Sequence, residues 1–261
     1  TTPPSTTTTT RATTTTTLSP DVALAAELER VERGIRGDDR DEATLAALGR
    51  DQDDAYAELR SAPDRSPAVL ALLPPEIAPI VTANAGAAAE LTPLTDPRPE
   101  FPPWTIRPPR PRTELLALYR EAEAASDIPW QYIASIHLIE SRLGRIVGPS
   151  TAGALGPMQF IPSSWEAFGE GGDIYSDRDS ILAAGRYLAD AGGAPGNMDG
   201  ALFAYNHSDH YVAAVRAYAE LMIADERAYD GYYFWPVRYR TTEGVFVLPE
   251  GYPGEPAVAA G

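Results

Sequence analysis

Residues 133–144, IASIHLIESRLG, place Ile133, Ile136, His137, Glu140 and Leu143 on one face of a 3.6-residue helix. That face has to be buried, so the rest of the chain must supply packing partners around this segment. Glu140 then points where an apolar residue belongs. The places one turn from it hold Ile136, His137, Leu143 and Gly144, while Arg142 and Arg145 point elsewhere, so local ion pairing is weak. A carboxyl group held against apolar neighbours without a cation has its pKa raised by desolvation, as a general acid near neutral pH requires. The plainer reading is a Glu at the edge of the stripe, its carboxylate reaching water.

After this helix, Gly144, Gly148, Gly153 and Gly156 with Pro149 and Pro157 end the helical pattern and let backbone pass close to whatever lies before the carboxyl. Gln159 follows with an amide that both donates and accepts. The runs IESRLG, STAGALGPMQFIPSSW and ALFAYN, in that order, resemble three motifs of bacterial lytic transglycosylases of the soluble (SLT) type, members of the lysozyme-like superfamily. The resemblance covers roughly Thr113 to Asp225, somewhat under half the chain. By it Glu140 corresponds to the family's sole catalytic carboxylate, Ser150 to its cleft serine, Met158 and Gln159 to its Met-Gln pair, and Tyr205 and Asn206 to its Tyr-Asn pair. Pro157 and His207-Ser208 depart from the family's usual residues, the latter beside the sugar subsites near Asn206.

The chain has 261 residues, enough for one sizeable domain with attachments, and its 44% hydrophobic and 22% charged content is that of a folded soluble protein. A formal net charge of -16 argues against nucleic acid and against adsorption to anionic membranes or wall polymers, so substrate capture is expected to be local. With no cysteine, disulfides, thiolate catalysis and Cys-based zinc sites are excluded. No apolar run approaches the roughly 20 residues of a membrane span, and no signal peptide begins the sequence. An exported form would have lost its signal or anchor.

Taken in order, residues 1–19 are nearly all Thr and read as a disordered stalk. Residues 20–92 read as an N-terminal helical segment: Ser19 and Pro20 open a helix with Leu24, Leu28, Val31 and Ile35 on one face, a second runs around Glu42 to Arg60, and Pro-bounded helices follow near Pro67 and Pro75. Its acidic residues have the spacing of a solvated face. Residues 93–112 are a Pro-rich connector, FPPWTIRPPRPR, that excludes regular helix and central strand and is expected to be clamped by Trp104 and Ile106.

The catalytic domain is expected over 113–228, with Thr113 capping one helix and Asp127 and Pro129 opening the helix of Glu140. Asp173, Asp177 and Asp179 read as helix caps. Helices are further expected over Ile181 to Ala191, Met198 to Tyr205 and Tyr211 to Asp225. Residues 229–261 switch to period two in YYFWPVRYR and VFVLP, a hairpin whose aromatics should pack on the helical domain. The fold class is therefore mainly α: a lysozyme-like (SLT) catalytic domain, an N-terminal helical segment and a small C-terminal β-hairpin.

The resemblance implies cleavage of the β-1,4 bond between N-acetylmuramic acid and N-acetylglucosamine in peptidoglycan glycan strands, with a 1,6-anhydromuramic product, outside the cytoplasm in the cell wall or secreted. Glu140 would act as acid then base, Gln159, Tyr205 and Asn206 would bond sugar or carboxyl, Ser150 would position the N-acetyl group, and Met158 would line the cleft. No cofactor or metal is implied. The alternatives are a hydrolytic muramidase of the same fold, a non-catalytic wall-binding module, and a metallohydrolase built on His137, His207 and His210. Glu140 is expected on the wall of the main cleft, with Gln159 and Tyr205 close by.

Overall fold

A computed structural model describes residues 18–38, 41–194 and 196–260; the stalk predicted over 1–19 lies, up to residue 17, outside them. Among the described residues the chain forms eleven α-helices and two small antiparallel sheets, a mainly helical fold as expected.

Helix α1 (Pro20–Ile35) starts where the sequence predicts, the Ser19 hydroxyl accepting the Val22 N–H and Pro20 occupying the first turn. It packs with α2 (Glu42–Ser61) and α3 (Ser66–Ala71), both of which pack on α4 (Ala78–Leu91). Two acidic residues of these helices are not on a solvated face. Glu32 is fully buried and Asp53 nearly so. Glu32 is ion-paired to Arg36 and accepts from Gln52 Nε2 (2.9 Å) and Tyr56 OH (2.5 Å). Asn84 Nδ2 donates to Tyr56 OH at 3.0 Å, Tyr232 OH to Asn84 Oδ1 at 2.7 Å, and Trp235 Nε1 to Gln52 Oε1 at 2.8 Å. A buried carboxylate persists only with such partners, and Tyr232 and Trp235 from the far end of the chain hold the N-terminal network in which they sit.

The connector carries strand β1 (Thr105–Ile106). Helices α5 (Arg112–Ser126) and α6 (Trp130–Ser141) follow, then strand β2 (Ile146–Val147), which pairs antiparallel with β1, Ile106 opposite Ile146. Ile106 is buried, as its clamping role requires, and Trp104 Nε1 donates to the Pro149 carbonyl at 3.3 Å. Thr113 does not cap α5, which begins one residue earlier behind Pro111. Asp127, in a left-handed conformation (φ 57°), ends α5 instead of opening α6. Short polar side chains tolerate that conformation, which makes a helix stop and a helix start hard to tell apart in sequence.

Helices α7 (Pro162–Phe168), α8 (Asp177–Asp190), α9 (Met198–Tyr205) and α10 (Asp209–Ala224) complete the layer around α6. Ser176 caps α8, while Asp177 is buried and paired with Arg107 and Arg110 of the connector.

The C-terminal region forms the predicted hairpin, two antiparallel strands over 237–241 and 244–248 that turn between Thr241 and Gly244, and departs from the prediction on either side of it. Residues from Tyr229 form helix α11 (Ala228–Tyr233) before strands β3 (Val237–Thr241), β4 (Gly244–Leu248) and β5 (Val258–Ala259) make a three-stranded sheet in that order. Alternation would turn Tyr232 and Tyr233 to opposite faces. The helix buries Tyr229, Tyr232 and Tyr233 together in the core, so tertiary burial overrides local β preference. α11 lies so close to α2 that a Cβ at Gly49 would stand 2.7 Å from the Gly231 carbonyl oxygen.

One apolar core joins these parts. Leu28, Leu59 and Val81 of the N-terminal helices belong to the same buried cluster as Ile133, Ile136, Tyr211, Val215 and Tyr232. Among the described residues no helix is long and apolar enough to cross a membrane.

Candidate active site

Helix α6 is buried along Ile133, Ile136 and His137, and Leu143 beyond its end is buried as well, which is the face the periodicity predicts. Glu140, in its last turn, is half-buried. A hydrogen bond that it accepts was not anticipated: Tyr211 OH donates to Glu140 Oε1 at 2.7 Å. Tyr211 sits in the first turn of α10, where the Ser208 hydroxyl accepts its N–H. Its ring lies nearly parallel to that of Tyr205, centroids 6.5 Å apart. Tyr205, the last residue of α9, donates its hydroxyl to the Met158 carbonyl at 2.7 Å. Tyr211 thus links Glu140 to Tyr205, and Tyr205 reaches the Met158 backbone, while Gln159, expected close to Glu140, bonds within its own loop.

Burial pushes the Glu140 carboxyl up to about 7, against the opposing effect of the Tyr211 hydrogen bond. No cation contributes to this shift. Arg142 lies over the Trp235 ring, 5.5 Å from its centroid, Arg145 pairs with Glu250, and Arg178 pairs with Glu121. Burial, and then the charge of Glu140, raise the Tyr205 and Tyr211 hydroxyls well above their ordinary value. Both phenols therefore stay protonated as donors at neutral pH.

The end of α6 is tied to the glycine-rich loop. Arg142 and Leu143 adopt left-handed backbone (φ 52° and 58°), and their N–H groups donate back to the Leu138 and His137 carbonyls. Ser141, fully buried, donates its hydroxyl to the Pro157 carbonyl (2.5 Å) and accepts the Gly144 N–H (3.0 Å). Leu155 and Phe160 exchange backbone hydrogen bonds at 2.9 Å, closing a tight turn over residues 156–159. Gly156 is required there: φ is +74°, and a Cβ would stand 1.9 Å from the Ile174 carbonyl oxygen.

The other predicted residues are placed differently from one another. The Met158 side chain is fully buried and contributes its carbonyl to the site. Gln159, left-handed at φ 51°, donates its amide to the Gly156 (2.8 Å) and Gly148 (3.4 Å) carbonyls of its own loop. The Ser150 oxygen accepts the Ala152 and Ala154 N–H groups and so shapes its own turn. Asn206 is exposed, directly after Tyr205 at the end of α9. A cavity of about 50 Å³ lies beside Gly148 and Gly156; Glu140, expected on the wall of the main cleft, does not line it.

The histidines are dispersed. His137 is buried, its Nδ1 2.7 Å from Tyr119 OH, and burial together with Arg107 lowers its pKa to about 3. His210 Nδ1 lies 2.6 Å from Glu90, and His207 packs edge-on against Phe203. Among the described residues no group of three or more His, Cys, Asp or Glu is placed to hold a metal ion.

The arrangement offers one proton at one buried carboxyl, steadied by a phenol, beside a loop rich in backbone carbonyls. Residues 117–221 match the family model of the transglycosylase SLT domain. No curated protein and no solved structure matches the chain.

Proposed function

We propose that this protein is a lytic transglycosylase acting outside the cytoplasm on peptidoglycan glycan strands, a reading supported by the match of residues 117–221 to the transglycosylase SLT domain of the lysozyme-like superfamily. It cleaves the β-1,4 bond between N-acetylmuramic acid and N-acetylglucosamine, and Glu140 is its general acid and base. The observation that carries this reading is a carboxyl raised to about 7 by burial, with a tyrosine donor and no cation contributing to the shift. Such a group holds a proton to give near neutral pH and is a competent base once it has given it.

Two-carboxylate glycosidases use a second Asp or Glu as nucleophile or water activator. No second carboxylate contributes to the Glu140 shift, so the nucleophile is assigned to the substrate. Protonated Glu140 donates to the glycosidic oxygen, the C1–O bond breaks, and the N-acetylglucosamine leaves with a 4-hydroxyl. The substrate's N-acetyl group steadies the positive centre at C1. The muramic 6-hydroxyl then attacks C1 and gives its proton to the Glu140 carboxylate, closing the 1,6-anhydro ring and restoring the acid with no net water consumed. Tyr211 steadies the carboxylate between the two steps. Tyr205 holds the Met158–Gln159 turn, Ser150 shapes the preceding one, and the Gln159 amide oxygen and the exposed Asn206 amide are offered to the sugar.

Incubation of the protein with purified peptidoglycan, followed by mass analysis of the products, tests this. Anhydro-muropeptides are expected, one water lighter than hydrolytic ones. Glu140→Gln is expected to lower cleavage by about a hundredfold or more while melting as a folded protein. Near-normal cleavage by that variant would refute the mechanism, and products at the hydrolytic mass would replace ring closure by attack of water.

A further inference from the structure

Away from Glu140, a cavity of about 330 Å³ opens where α2, the proline connector and the end of β4 meet. Its volume is that of a small-ligand pocket. Its walls are largely apolar, with Pro108, Pro109 and Tyr233 among them, yet four charged side chains line it: Glu42 and Arg50 from α2, Arg145 from the segment after α6, and Glu250.

Arg145 is the informative member. It is only 9% exposed. Its Nη1 donates to Glu250 Oε1 at 2.5 Å, its Nη2 to the Tyr233 carbonyl at 3.0 Å, and its guanidinium carbon lies 5.9 Å from the Tyr233 ring centroid. Its Nε is buried with no protein acceptor. An arginine fork is matched by a carboxylate that takes two parallel N–H bonds, and a buried N–H left without an acceptor is costly. The Glu250 side chain that now holds Nη1 is 52% exposed, so it can turn to solvent when a second carboxylate arrives.

We infer that this cavity binds a short peptide bearing a free carboxylate. The carboxylate is taken by Arg145, the peptide body lies on the proline and tyrosine walls, and a cationic group on the peptide is met by Glu42 or the displaced Glu250. Charges of both signs around an apolar wall suit a zwitterionic peptide better than an uncharged sugar chain. Resting on the function proposed above, the occupant is the stem peptide attached to N-acetylmuramic acid. Arg145 follows α6 through Leu143 and Gly144, so peptide recognition and Glu140 share one stretch of backbone.

Calorimetric titration of the whole protein with the free stem tetrapeptide L-Ala-γ-D-Glu-diaminopimelate-D-Ala tests the inference. Saturable binding is expected, weakened about tenfold or more by Ala46→Trp, which fills the cavity from α2 and removes no charge. Arg50→Glu, on the exposed rim, is expected to weaken binding as well, without a residue of the core being disturbed. The same peptide amidated at its carboxylates is expected to bind about tenfold more weakly. Cleavage of peptide-free glycan strands, measured alongside, is expected to be unchanged in both variants. If the wild-type protein cleaves glycan but does not bind the peptide, or if Ala46→Trp and Arg50→Glu bind it normally, the peptide site is refuted and the function proposed for Glu140 stands. If peptide binds as expected and no glycan is cleaved, the cavity assignment holds and the transglycosylase reading fails.

Discussion

Glu140 and His137 lie one turn apart on α6 and titrate in opposite senses. Between the ordinary carboxyl value of 4.5 and about 7, the folded chain keeps Glu140 protonated while the unfolded chain does not. Stability from this group is therefore lost as pH rises through that window, by on the order of 3 kcal/mol. His137 is neutral in the folded chain down to about 3 but takes a proton near 6.5 when unfolded, so its effect is lost as pH falls. Glu140→Gln removes only the first slope. Its melting temperature relative to wild type is expected to climb from pH 4.5 to 7, and parallel melting profiles across that range would show that the carboxyl is not raised. Tyr211→Phe is expected to move the Glu140 pKa further up, since the lost hydrogen bond was lowering it, and to shift the alkaline limb of the cleavage profile to higher pH. Its stability cost is on the order of 1 kcal/mol, readable by denaturant unfolding. Helical spacing put Glu140 on the buried face of α6 and left an edge position open; it was the resemblance of the surrounding motifs that singled this carboxyl out. Tyr211 escaped because its partner is on another helix, 71 residues away. The available signal was the stripe of Tyr211, Val215, Tyr218 and Met222 on α10, which ends in a hydroxyl beside Tyr205 and Asn206.

Among the elements, the joint between α6 and the glycine-rich loop depends on a few small groups. Ser141→Ala leaves the Pro157 carbonyl and the Gly144 N–H without their partner in a buried place, a cost of about 1–3 kcal/mol. Gly156→Ala is expected to be worse, because the Ile174 carbonyl occupies the space of the new methyl and φ stays positive. Both should reduce glycan cleavage while Glu140 itself is untouched, and equal cleavage by wild type and Ser141→Ala would remove this joint from the site. The glycines and prolines announced a turn here, but its hydrogen bonds lie outside what local pattern encodes. The aromatic run at Tyr229–Tyr233 misled for a related reason. Its alternation is a real β signal, overruled only because the core beside α2 takes three tyrosines from one helical turn and a half.

For the molecule as a whole, the N-terminal helices share both the apolar core and the Glu32–Gln52–Tyr56–Asn84–Tyr232 network with the C-terminal half. A chain begun at residue 93 would bare the side of α10 that packs on α4, and would leave Tyr232 and Trp235 without their acceptors. Such a fragment is expected to lack cooperative melting and to show weak near-ultraviolet dichroism; a sharp transition would show that the two parts fold independently. The sequence disclosed the helices on each side but not this mutual dependence, since Glu32 reads as one more surface charge until its partners are in place. Distant parts also meet at Ile106, which pairs with β2, donates its N–H to the Tyr252 carbonyl (3.0 Å) and accepts the Gly251 N–H (2.8 Å). The backbone behind the candidate site is therefore closed by residues translated more than a hundred positions later. A chain that lacks residues 251–252 loses both of these backbone partners of Ile106, the residue that pairs with the strand directly after the helix of Glu140.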